Sequence, residues 1–122
     1  MKKFDLSGTL MYKDVELAEF KIEGGYPVEF KQLSFNSKNF PFEMEIHQNG
    51  NTLINTLLDR IVPETRQGLL DDLRKVGIVG YDISAILRYQ NATSLHDYFW
   101  VRFDDGPQTW KQLRDKIGWT TY

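Results

Sequence analysis

Only a few residues in this chain have types and spacings that could support chemistry. Its two histidines, His47 and His96, lie far apart and fall in neither an HxxxH nor an HExxH spacing, the patterns by which a helix brings paired ligands to a metal. Ser94, His96 and Asp97 have the side-chain types of a hydrolytic triad. Three residues this close on a turn do not orient as nucleophile, base and orienter, and the serine-to-acid spacing instead suits a capped turn. Gly24-Gly25 lacks the further glycines and the lysine of a phosphate loop, and it falls between two strand-like stretches, where a hairpin turn is expected. The acid pairs Asp71-Asp72 and Asp104-Asp105 are adjacent rather than facing, and Asp104-Asp105-Gly106-Pro107 has the composition of a turn. No catalytic residue, cofactor site or metal site is therefore expected, and the chain reads as a protein without enzymatic activity.

The global composition narrows the function classes further. Fifteen Lys and Arg against seventeen Asp and Glu leave a formal net charge of -2, with no excess of positive charge for nucleic acid or an anionic membrane. Arg60, Arg66, Arg74 and Arg88 are balanced by Glu43, Glu45, Asp71 and Asp72, as on a solvated face. Cysteine is absent, which removes thiolate chemistry, disulfides and the common structural zinc sites. With 122 residues, 41% of them hydrophobic, the chain can build a core by burial alone. No apolar run approaches the roughly 20 residues that span a bilayer, so the expectation is a soluble, cytoplasmic protein.

The elements that must position these residues divide the chain into two halves. The pattern predicts one α+β domain over 1–122, with 1–48 mainly β and 49–122 mainly α. Strands are expected at 4–11, 15–22 and 26–35, separated by a Lys13-Asp14 turn and by Gly24-Gly25. Alternating Phe40, Phe42, Met44 and Ile46 predict a further strand, entered near Pro41. Leu53, Ile54, Leu57, Leu58 and Ile61 form a helical stripe that Asn51 could cap and Pro63 would end. A second helix is expected from Pro63, with Arg66, Leu69, Leu70, Leu73 and Val76 inward and Gly77 as its stop. Asp82 is the expected N-cap of a third, on which Ile83, Ile86, Leu87 and Gln90 share a face. Thr109 and Gln112 have capping-box spacing for a last helix lined by Trp110, Leu113 and Ile117, with Gly118 as its stop.

Between the third and last helices lies the feature that sets this sequence apart. Tyr98, Phe99, Trp100, Phe103, Trp110, Trp119 and Tyr122 crowd the last quarter of the chain. A strand near 98–103 would carry Tyr98 and Trp100 on one face and Phe99, Val101 and Phe103 on the other. One set would be core and the other would need a cover, either the final helix or a protein partner.

The second half also resembles a known family. Arg60-Ile61-Val62-Pro63-Glu64-Thr65-Arg66, the leucine-rich helix after it, Tyr81-Asp82-Ile83 to Leu87, and Ser94-Leu95-His96-Asp97-Tyr98-Phe99-Trp100-Val101 occur in this order. They resemble the region preceding the kinase core in bacterial HipA-like serine/threonine kinases, over about residues 51–110. The nucleotide-binding lobe and catalytic aspartates of such a kinase have no counterpart in these 122 residues. The resemblance therefore implies a detached small subunit, like a HipS-type antitoxin, that binds and regulates a separately encoded HipA-like kinase. Through that complex it would also meet a DNA-binding antitoxin, without touching nucleic acid or membrane itself. The alternative is a phage or mobile-element protein that inhibits or recruits another host protein. On the resemblance, the partner-binding residues are expected at Trp100, Arg102, Phe103, Trp110 and Trp119, with at least one tryptophan exposed as an anchor.

Overall fold

The computed structural model describes residues 3–94 and 97–117, and the fold is α+β. Three strands, β1 (Leu6–Tyr12), β2 (Val15–Glu23) and β3 (Tyr26–Gln32), form consecutive antiparallel hairpins. A fourth, β4 (Phe99–Arg102), returns late in the chain to pair antiparallel with β1, giving the order β3-β2-β1-β4. The second hairpin turns at Gly24 and Gly25, whose φ angles of 59° and 84° suit the twist of the flanking strands and favour glycine.

The helices that follow are α1 (Gly50–Asp59), α2 (Leu69–Lys75), α3 (Ile83–Gln90) and α4 (Trp110–Ile117). Their ends carry the expected chemistry with some shifts. Asp82 caps α3 by accepting from the Ala85 amide at 3.0 Å, and Thr109 Oγ1 accepts from the Gln112 amide at 3.1 Å. Gln112 reaches back to the Gln108 amide rather than to that of Thr109. The cap of α1 is Asn49, two residues before the expected Asn51, and it exchanges hydrogen bonds with Thr52 in a reciprocal capping box.

One face of the sheet carries Leu6, Leu10, Phe20, Ile22, Val101 and Phe103, packed with Leu53, Ile54 and Leu57 of α1 and Ile83 and Leu87 of α3. On the other face, among the described residues, the buried cluster sits at the β1–β4 end, where Met11 and Trp100 meet Trp110 and Leu113 of α4. The side chains of β4 thus alternate as its pattern requires, and the final helix is the cover for the Trp100 side. A third cluster, Leu69, Leu73, Ile78 and Ile86, holds α2 against α3.

Two expected elements are corrected. The alternating segment from Phe40 to Ile46 is not a strand but a pair of short 3₁₀ turns, Ser37–Asn39 and Phe42–Met44. Phe40 and Met44, four residues apart, are buried, whereas Phe42 and Ile46 are exposed, so the true spacing is that of a turn of helix. Pro41, which has no amide to give a ladder, precedes the second turn, and the Gln48 amide group closes it by donating to the carbonyls of Met44 and Glu45. The second helix starts at Leu69 rather than at Pro63, because Gly68 in front of it is left-handed at φ 76°. Its inward residues reduce to Leu69 and Leu73, while Leu70 and Val76 face outward.

Among the described residues the outer edge of β4 is occupied by a loop and side chains rather than by a fifth strand. Asn91 and Ala92, both with left-handed backbones, end α3 beside it. The Val101 amide donates to the Asn91 carbonyl at 2.8 Å, and Asn91 Nδ2 donates to the Val101 carbonyl at 3.0 Å. The Arg60 guanidinium donates to the Phe99 carbonyl at 2.8 Å and the Phe99 amide donates to Asp97 Oδ1 at 3.1 Å, so this edge is satisfied by a loop carbonyl and three side chains.

Candidate functional site

The polar residues converge on the two ends of that same β4 edge. At one end Arg60, the residue capping α1, forms a two-pronged ion pair with Asp97, both contacts at 2.7 Å. The same guanidinium donates to the carbonyls of Ala92 at 2.6 Å and Phe99 at 2.8 Å, and its side chain is only 8% exposed. Asp97, with 32% exposure, also accepts from the Phe99 amide at 3.1 Å and so aims the chain into β4. This is the structural role expected for the acid of the Ser94–Asp97 element. Leu95 and His96 lie outside the described residues.

At the other end stands Asn91, 1% exposed, held between the Val101 carbonyl and Lys116 of α4, whose Nζ donates to Asn91 Oδ1 at 2.6 Å. Loss of water around Lys116 holds its ammonium below the ordinary lysine range, partly offset by the charge of Asp105. Asp105 itself forms a two-pronged pair with Arg88 of α3, at 2.9 and 3.0 Å, and the Arg88 guanidinium lies 4.6 Å from the centre of the Phe103 ring.

The residues expected to bind a partner are distributed differently from expectation. Trp100 is wholly buried, with its indole Nε1 donating to the Lys13 carbonyl at 2.8 Å. Trp110 and Phe103 are buried as well, in the second and first core clusters. These three are packing residues as they stand, because both faces of β4 are covered. Arg102 is half-buried and reaches across β1 to pair with Glu16. Trp119 lies outside the described residues.

Of the four most exposed large apolar side chains among the described residues, three belong to the connection between β3 and α1 and the fourth, Val79, lies between α2 and α3. Phe35, Phe42 and Ile46 of the β3–α1 connection are 82%, 83% and 85% exposed, and Glu43 and Glu45 are interleaved with the last two. Sequence reasoning missed them because the alternating pattern assigns Phe42 and Ile46 to a strand. Among the described residues no group of three or more His, Asp or Glu is arranged to hold a metal, and no helix is long and apolar enough to cross a membrane.

The fold and this edge define an α+β protein whose late aromatic strand is anchored by Arg60, Asp97 and Asn91. No protein-family model, curated protein or solved structure matches the chain.

Proposed function

We propose that this protein is a non-catalytic, antitoxin-like accessory subunit that works in the cytoplasm by binding and regulating a separately encoded HipA-like kinase. The observation that carries the reading is the Arg60–Asp97 pair. It joins the Arg60–Arg66 stretch to the Ser94–Val101 stretch, the two pieces of sequence that bear the family resemblance. Segments distant in the chain but similar to one kinase region are thus parts of one packed unit.

With Trp100, Phe103 and Trp110 in the core, the docking surface moves to Phe42 and Ile46, with Phe35 on the same connection. Exposed apolar groups of this size are costly to leave in water and serve as anchors when a partner covers them. Glu43 and Glu45 beside them call for basic groups around the receiving pocket on the kinase.

The test is calorimetric titration of the protein into a HipA-like kinase that lacks its own N-terminal region. The expected result is saturable binding. A Phe42→Ser/Ile46→Ser variant should lose about 4 kcal/mol of it, at about 2 kcal/mol for each anchor, with an unchanged melting temperature. Failure of the unaltered protein to bind overturns the kinase reading. Equal binding by the variant overturns the docking surface alone.

A further inference from the structure

Three elements converge on a cleft of about 310 Å3 that the proposed kinase contact does not use. Its walls come from α3, from the turn after β4 and from the end of α4, with Ile78 of the α2–α3 connection closing one side. Arg88, Lys116, Asp105 and the buried Asn91 supply its polar lining, and Ile78 and Phe103 supply an apolar wall. Two cations against one carboxylate leave the cleft with a net positive charge. Arg88 is engaged with Asp105, but the hydrogen bond of Lys116 among the described residues goes to a neutral amide oxygen, that of Asn91. An ammonium has three N–H donors, so two remain to be directed at a ligand. Asn91 cannot turn away, because its Nδ2 is committed to the Val101 carbonyl. The partly desolvated setting that lowers the Lys116 pKa is also one in which a bound anion is attracted more strongly than in open water.

We propose that this cleft binds a small organic oxyanion, a carboxylate or phosphate monoester with a compact apolar body. The oxyanion meets Lys116 and competes with Asp105 for Arg88, while the apolar body lies along Ile78 and Phe103. The inference is independent of the kinase reading.

The experiment is titration of the isotope-labelled full chain with phenyl phosphate, with benzoate, and with benzyl alcohol as an uncharged control, followed by amide chemical shifts. Saturable shifts are expected at residues 88–91, 103–106 and 116 with one or both anions and not with the alcohol. The anion that binds more tightly identifies the headgroup. Lys116→Met should weaken binding about tenfold, the equivalent of one charge-assisted hydrogen bond. Asp105→Asn, on an exposed turn, should act in the opposite direction and tighten binding by freeing Arg88. It also provides an independent readout if the lysine variant folds poorly. Absence of saturation with both anions, equal binding of the alcohol, or an Asp105→Asn variant that binds no more tightly would each overturn the proposal.

Discussion

Neutralising Asp97 tests whether the late strand is held by charge or only by packing. Arg60 makes four hydrogen bonds from a guanidinium that is 8% exposed, and two of them end on Asp97. Breaking a fully buried pair by removing one partner costs about 3–5 kcal/mol. Asp97 keeps a third of its surface in water, so solvent screening reduces the figure, and about 2 kcal/mol is expected for Asp97→Asn. Arg60→Met additionally strands the Ala92 and Phe99 carbonyls and should cost about 3–4 kcal/mol. At an unfolding entropy of about 2.1 cal/mol/K per residue, each kcal/mol lowers the melting temperature of a chain this long by about 4 °C, giving losses of about 8 °C and 12–16 °C. The assay is thermal and urea denaturation of both single variants and the double variant. The double variant should lose less than the sum, with a coupling of about 1.5–3 kcal/mol that persists in about 1 M salt, where exposed pairs are screened. A coupling below about 0.5 kcal/mol, or one that vanishes in salt, would refute the assignment of this pair as the anchor of β4.

Two further expectations concern packing. A Cβ at Gly50, the first residue of α1, would overlap the Pro27 ring, so Gly50→Ala should destabilise by about 1–3 kcal/mol in urea denaturation, and a neutral result would show that α1 and β3 are less closely packed. In a Trp119→Phe variant the remaining fluorescence comes from Trp100 and Trp110, which are buried, so acrylamide should quench it weakly; quenching like that of free tryptophan would contradict their burial.

Where a residue's structural work is done close by in sequence, that work was legible. The Gly24-Gly25 turn, the Asp82 cap, the Thr109–Gln112 spacing and the two faces of Phe99–Phe103 all follow from backbone preference and side-chain alternation. The alternation from Phe40 to Ile46 misled because period two describes a strand only where a neighbouring strand receives its amides. Here the buried members are one helical turn apart, and the other two face water. Arg60–Asp97 and Asn91–Lys116 were beyond local reasoning for a different cause. Each joins residues 37 or 25 positions apart, and charge type alone does not choose among many possible partners. The candidate site depended on the same long-range information. An aromatic-rich segment looks alike whether its cover is its own last helix or another protein, and the packing of α4 on Trp100 decided in favour of the helix.

The Asn91 loop beside β4 bears on how this protein can associate with itself. A sheet that is open on both sides can add chains indefinitely, since each newcomer presents a fresh edge. In this protein the order β3-β2-β1-β4 has one side closed by Asn91 and Arg60, and among the described residues β3 is the outermost strand on the other. Any pairing through β3 therefore ends with two molecules back to back, each showing its closed side outward. Growth into a fibre would first require Asn91 to release Val101, so the loop acts as a chain terminator for assembly.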